Sequence, residues 1–443
     1  VRVHFTSLGC KLNQAEIERL ARTFTAAGHR VVGELAEADL HVINSCTVTH
    51  AAARDSRKAA GRARRRSLHL RTVLTGCYAA ERPDEAARLA GVDLVVPNTE
   101  KDRLLERVHA AFPDLVPLPP SLPTPPLLAD DPVPCCPLPA GDHRDDRNTR
   151  AMVKIEDGCN MRCAFCIIPA TRGRQASRSP EEVIAETRLL VAAGWREVVL
   201  TGVQISAYRW GDARLSELVR RLLTDTEVPR LRLTSIAPWD LDLRLLELWR
   251  EPRLARHLHL SLQSGSTATL RRMRRPYTAE GYLALLERAR AAISGVAITT
   301  DVIVGFPGES EEEFAASLET VRAAGFARVH VFPFSPRAGT EAASLSDPVP
   351  PEVQRQRMER MLLAGRRAER EFAASHLGRR ASVLWEHPRA GMGTGLTDNY
   401  LRVFCPEGAA LWNRFSEVEL VELVETGGSI GSGGGALRGV LVA

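Results

Sequence analysis

Short apolar runs rich in β-branched residues alternate with helix-like text over the first part of the chain. Val1–Ser7, Asp39–Ser45, Arg71–Thr75 and Val92–Val96 read as strands, and stretches such as Gln14–Ala27 carry helical periodicity between them. That alternation predicts an α/β unit on a parallel sheet. From Pro113 to His143 the pattern stops: Pro recurs too densely for a helix or a central strand, and an extended linker of polyproline character is expected. Beyond it a strand–loop–helix unit recurs six times, with strands at Met152–Glu156, Glu197–Thr201, Arg230–Ser235, His257–Gln263, Ala297–Val304 and Arg328–Phe334. Two of the intervening helices open on clear start signals, Ser179-Pro-Glu-Glu182 and Ser310-Glu-Glu-Glu313. Six such units imply a parallel barrel short of closure, with a gap for a large substrate or a second domain.

A long Arg/Glu-rich helical pattern ends near Leu377–Gly378. After it Ala381–Glu386, Leu401–Cys405 and Glu417–Leu423 read as strands between Gly, Pro and Asn turns, a small all-β barrel of a kind that often binds oligonucleotides. The Gly-rich stretch Gly427–Gly435 reads as a loop before a last strand, or as disorder. The expected division is an N-terminal parallel-sheet α/β domain over 1–112, a Pro-rich linker over 113–145, a partial (β/α)6 barrel over 146–376 and a small all-β barrel over 377–443.

Composition narrows the classes. Hydrophobic residues make up 44% and charged residues 26% of the 443, the balance of a globular protein with ample core. Lys and Arg number 59 against 54 Asp and Glu, a net charge of +5; only Lys11, Lys58, Lys101 and Lys154 are lysines, so Arg with its bidentate contacts dominates. No run approaches the roughly 18 apolar residues of a membrane span. The first residues enter a strand pattern directly, without the charged and apolar regions of a signal peptide, so a cytoplasmic protein with reduced thiols is expected. Nine cysteines, an odd number, then point to metal or cluster ligation rather than pairing.

Cys10, Cys46 and Cys77 each fall shortly after one of the first three strands. In an open parallel sheet those strand ends share one edge, so the three thiols could converge on one cluster; three small buried thiols are the plainer alternative. Cys159-Asn-Met-Arg-Cys163-Ala-Phe-Cys166 is more specific: three soft ligands within eight residues can wrap an iron–sulfur cluster and leave one iron open. A structural zinc site would want a fourth Cys or His, and the segment has none. The run also follows the first barrel strand, on the face where barrel active sites sit.

This run resembles the radical S-adenosylmethionine (SAM) superfamily, whose partial barrel agrees with the six units. Further short stretches fall in register with that family. Thr201-Gly202-Val203 is similar to its contact with the methionine part of SAM, Ser261-Leu262-Gln263-Ser264 to its ribose-side contact, and Gly305-Phe-Pro-Gly308-Glu309 to its adenine-side turn. The resemblance implies a 4Fe–4S cluster on Cys159, Cys163 and Cys166 whose open iron chelates SAM, and a 5′-deoxyadenosyl radical made by one-electron cleavage. SAM contacts are expected from Thr201, Gly202, Ser261, Gln263, Gly305, Gly308 and Glu309, with no catalytic residue beyond the cluster ligands.

The N-terminal part resembles the methylthiotransferases within that superfamily, through Leu8-Gly-Cys-Lys-Leu-Asn-Gln14, Asn44-Ser-Cys-Thr-Val-Thr49 and Thr75-Gly-Cys-Tyr78. Gly395-Leu-Thr-Asp-Asn399-Tyr400 is similar to the signature turn of a C-terminal TRAM domain. By this resemblance Cys10, Cys46 and Cys77 hold a second, auxiliary 4Fe–4S cluster carrying the sulfur to be inserted. One SAM would donate the methyl group and another the radical. Lys-Leu-Asn-Gln after the first cysteine and Thr-Val-Thr after the second resemble the MtaB-type branch, which acts on N6-threonylcarbamoyladenosine beside the tRNA anticodon. The alternatives are the branches acting on isopentenyladenosine or on a ribosomal-protein aspartate, and more remotely a non-catalytic iron–sulfur or RNA-binding protein. The partners implied are tRNA, an external electron donor and a sulfur source, with no membrane.

Two basic clusters are compatible with tRNA: Arg54, Arg57, Lys58, Arg62, Arg64, Arg65 and Arg66, and the knot Arg271, Arg272, Arg274, Arg275. Either can also be a solvated helix face. Arg379, Arg380 and Tyr400 are further candidate contacts, while Cys135, Cys136 and Cys405 match no ligand position and are expected to be free thiols.

Overall fold

A computed structural model gives residues 1–66, 69–115, 149–388, 391–424 and 435–442. Cys135, Cys136, nearly all of the Pro-rich segment and most of the Gly-rich stretch lie outside them. The N-terminal strands form a five-stranded parallel sheet in the order Arg30–Val31, Arg2–Ser7, Leu40–Ser45, Arg71–Gly76, Leu94–Val95. Leu40–Ser45 is buried at every position, as a central strand covered on both faces must be. The two-residue edge strand Arg30–Val31 escapes the sequence reading because it is too short to show a period. The helix expected over Gln14–Ala27 spans Lys11–Ala26, starting directly after Cys10.

Six parallel strands then follow in sequence order: Arg150–Lys154, Glu197–Thr201, Arg230–Leu233, His257–Leu260, Ala297–Val304 and Arg328–Pro333. The third is split. Arg230–Leu233 pairs with the second strand, while its continuation Ser235–Ile236 pairs with the fourth, so the sheet turns its corner at Thr234. Ser310 and Glu313 form the reciprocal capping box; Ser179 accepts from the Glu182 amide, which satisfies one free N–H of that helix start. Among the described strands the first and last do not pair. Helix Lys11–Ala26 packs on the first two of these strands: Ala15 touches Met152 and Val199, and the Glu18 carboxylate accepts the Met152 N–H at 3.3 Å.

Helix Pro351–Ala374 leads into a closed five-stranded barrel of Arg380–Trp385, Gly393–Thr397, Arg402–Cys405, Phe415–Val424 and Ala436–Leu441 around Val383, Trp385, Val403, Val418 and Leu437. Gly395, read from sequence as part of a turn, is a strand position: a Cβ there would stand 2.4 Å from the Val383 side chain. This barrel seats on the amino ends of the central strands. Arg230 donates to Leu396 O and Ser382 O at 3.1 Å each, Arg232 to Asp398 O at 2.7 Å, and Arg150 to Glu386 at 3.0 Å. Glu197 neutralises Arg230 and Arg232 from within; burial works against its charge, but the guanidiniums hold its carboxyl at about 2. No helix among the described residues is long and apolar enough to cross a membrane.

Candidate active site

Cys10, Cys46 and Cys77 lie at the carboxyl ends of three adjacent strands, Arg2–Ser7, Leu40–Ser45 and Arg71–Gly76. Two glycines let them meet. Gly9 has φ +96°, and a Cβ there would stand 2.5 Å from the Cys46 Sγ; Gly76 has φ +97° and would strike Ser45 O at 2.3 Å. Asn13 ties the first two loops, donating to Leu8 O at 2.7 Å and Ser45 O at 3.0 Å. Burial pushes the Cys46 thiol up to about 11.

Cys159, Cys163 and Cys166 occupy the loop after the first barrel strand. Gly158, φ +70°, bends the chain into it where a Cβ would collide with Arg174 O at 2.2 Å. The Met161 amide donates to Cys159 Sγ at 3.4 Å, and Ala164 N–H to Met273 O at 3.1 Å, which fixes the loop against the fourth unit. Burial raises the Cys159 thiol and takes the Cys166 thiol to about 11. Among the described residues no three Cys, His, Asp or Glu side chains converge closely enough for a single metal ion. A multi-iron cluster takes each thiolate on a different iron, so both triplets fit such a group by donor type and by the glycine-made approach of their loops.

The sequence-derived SAM residues stand at the carboxyl ends of the second, fourth and fifth strands. Thr201 ends the second strand, and a Cβ on Gly202 would lie 2.2 Å from Glu156 Oε1. Glu156 went unnoticed in the sequence. Its carboxyl accepts the Gln204 backbone N–H at 2.5 Å, its second oxygen has no hydrogen-bond partner among the described residues, and burial pushes it up to about 8. Ser261 Oγ donates to Asp301 at 3.3 Å, and Gln263, with φ +63°, bonds through its backbone to Asp301 O and Ile303 N at 2.8 Å each. Gly305 and Gly308 both have positive φ, and Glu309 closes their turn from inside, accepting from Gly305 N–H at 2.8 Å and Arg357 at 2.9 Å.

Between these edges lies a polar lumen. On the last strand Val329 and Val331 pack against the outer helices, and His330 on the opposite face turns toward His259. His259 pairs with Asp301 at 3.1 Å and lies 6.0 Å from His330 between ring centres. Tyr400, a candidate tRNA contact from the sequence, comes from the C-terminal barrel and packs against His257 and Arg232 of the central strands. Its hydroxyl accepts from Lys11 and Arg150 at 3.3 Å each, and the Arg232 guanidinium covers its ring at 4.0 Å. Burial would raise that hydroxyl, yet Lys11, Arg150 and Arg232 hold it below its usual range.

The basic clusters divide. Arg272 is paired with Glu313 at 3.0 Å and Arg274 with Glu341 at 2.6 Å, while Arg275 lies over Phe165 and Trp239 beside the second triplet; these three serve the fold. Arg54, Arg57, Lys58 and Arg62 ride on helix His50–Arg66, where Arg57 also covers the Tyr78 ring. Cys405 is a buried free thiol.

Residues 153–321 match the Radical SAM superfamily, and residues 2–97 match Uncharacterized protein family UPF0004. The threonylcarbamoyladenosine tRNA methylthiotransferase MtaB of Bacillus subtilis (strain 168) is 36% identical over 412 residues, covering 90% of this chain and 89% of that one. The tRNA-2-methylthio-N(6)-dimethylallyladenosine synthase of Anaeromyxobacter dehalogenans (strain 2CP-C) is 37% identical over 87% of this chain and 84% of its own. Among solved structures, the radical SAM methyltransferase TsrM from Kitasatospora setae superposes with a TM-score of 0.58 at 16% identity over 77% of each chain, a likeness of fold. Membership of the superfamily implies SAM and a 4Fe–4S cluster as cofactors. With two domain matches in series and relatives aligned along most of its length, the chain belongs to the radical SAM methylthiotransferases, enzymes of the transferase class.

Proposed function

We propose that the protein transfers a methylthio group to C2 of N6-threonylcarbamoyladenosine at position 37 of tRNA, with two 4Fe–4S clusters and two molecules of SAM, in the cytoplasm. When bound, the clusters supply the electron for reductive cleavage of SAM at Cys159, Cys163 and Cys166, and a carrier for the transferred sulfur at Cys10, Cys46 and Cys77. The chain's own residues hold and orient. Thr201, Gly202, Ser261, Gln263, Gly305 and Gly308 border the space for SAM, and Glu309 shapes it by keeping the last turn closed. An external electron donor and a sulfur source complete the reaction.

The observation that supports the substrate reading is Lys11 beside Tyr400. The threonylcarbamoyl substituent carries a carboxylate; the dimethylallyl substituent is a hydrocarbon. Lys11, next to Cys10, donates to the Tyr400 hydroxyl at 3.3 Å, and an ammonium there suits the carboxylate and not the hydrocarbon. The test is anaerobic turnover on two anticodon stem-loops, one with each modified adenosine. Methylthiolation of the threonylcarbamoyl RNA alone is expected; reaction of the dimethylallyl RNA alone would overturn the substrate reading.

A further inference from the structure

We propose that Arg172, on the segment that carries the second cysteine triplet, tunes the reduction potential of the cluster on the first; this rests on the reading that Cys10, Cys46 and Cys77 hold an iron–sulfur cluster. Arg172 ends the short helix Ile168–Arg172 just after the Cys159–Cys166 loop. From there it crosses into the N-terminal domain, where its side chain is 1% exposed. Its Nε donates to Cys77 Sγ at 3.2 Å. Nη1 donates to Glu16 at 3.0 Å and Asp157 at 2.9 Å, and Nη2 to Asn13 at 2.6 Å and Glu16 at 3.3 Å. All five guanidinium N–H groups thus have acceptors, and the group has one orientation open to it.

The charges of this buried set point the same way. Lys101 and Lys154 share Glu16 with Arg172 at 2.7 and 3.4 Å, and Lys154 also reaches Asp157 at 3.2 Å. Three cations are bonded to two carboxylates, Glu16 and Asp157. A thiolate at Cys77 is the third anion that balances the set, and Cys77 is a thiolate when it ligates iron. An N–H donor and a positive charge on a ligand sulfur stabilise the more negative, reduced cluster and so raise its potential. No guanidinium is hydrogen-bonded to Cys159, Cys163 or Cys166 among the described contacts; the nearest in kind, Arg275, rests on the Phe165 and Trp239 rings. The two clusters would therefore differ in potential by construction, and the link runs through the segment joining them.

The experiment uses the full chain with Cys159, Cys163 and Cys166 changed to Ala, so that only the first triplet can load iron. This background is compared with the same chain carrying Arg172→Gln or Arg172→Lys, each loaded anaerobically with iron and sulfide. Iron content is measured, then the midpoint potential by a dye-mediated titration followed by electron paramagnetic resonance. The expected result is unchanged iron, a potential displaced to more negative values in Arg172→Gln, and a smaller displacement in Arg172→Lys, which keeps the charge but loses the fixed Nε donor. Equal potentials in all three, or iron lost from both variants, would overturn the proposal and leave Arg172 a structural link between domains. If Arg172→Gln does not fold, the displacement in Arg172→Lys decides. A background chain that takes up no iron would instead refute the cluster reading itself, and the two failures are distinguishable.

Discussion

Glu156 is an acid kept neutral beside Gly202, the glycine that follows the second barrel strand. Its carboxyl titrates at about 8 in the fold against 4.5 as a free side chain, so the folded state holds a proton that the unfolded chain releases. Stability from this site is therefore greatest below about 4.5 and declines as pH rises toward 8. Glu156→Gln, with no proton to lose, should melt higher than the parent at pH 8 and nearly equal to it at pH 5, read by calorimetry on cluster-free protein. Lys11→Gln is expected to raise KM for threonylcarbamoyl RNA about tenfold, the worth of one charge-assisted contact of roughly 1.5 kcal/mol, with iron content and kcat little changed. A fall in iron content instead would make Lys11 part of the cluster loop. The six cysteines proposed as ligands stand out in the sequence because their spacing and their places after strands are local patterns. Glu156 and Arg172 were not, because each acquires its role from a partner that only the fold supplies: Gly202 across the sheet, and Cys77 across a domain boundary.

Elements followed the sequence wherever a period had room to show. Glu197–Thr201 and Ala297–Val304 match the expected strands residue for residue, since both are uninterrupted runs. Gly393–Thr397 was hidden because its glycines mimic a turn, while in the fold Gly395 makes space for Val383 and Trp385 and Gly393 for the backbone at Gly408 and Ala409. The seating of the C-terminal barrel was hidden for another reason: Arg230 and Arg232 look like surface residues until Glu197 is placed between them. Glu197→Ala leaves both guanidiniums buried without their carboxylate and should cost about 3–5 kcal/mol, seen as a large loss of melting temperature. The same pair gives an acid limb. Glu197 is held at about 2 against 4.5, so its contribution is full above about 4.5 and is lost as pH falls toward 2. Glu197→Gln should flatten the parent's decline in stability over that range.

Across the whole molecule, the domain that brings the first cysteine triplet packs on the barrel through one helix. Helix Lys11–Ala26 starts directly after Cys10, lies against the first two barrel strands and carries Lys11 to the Tyr400 hydroxyl. The described residues carry the triplets on separate domains, so each should load independently: about eight irons in the parent and about four when either triplet is changed to Ala. A four-iron product unaffected by loss of Cys10, Cys46 and Cys77 would contradict that. The most direct measurement is mass spectrometry of tRNA nucleosides from a strain lacking this gene. The threonylcarbamoyl nucleoside is expected to lose its methylthio group and persist as N6-threonylcarbamoyladenosine, with the methylthio group restored by the parent gene. Loss of the methylthio group from the dimethylallyl nucleoside alone, or an unchanged nucleoside profile, would contradict it.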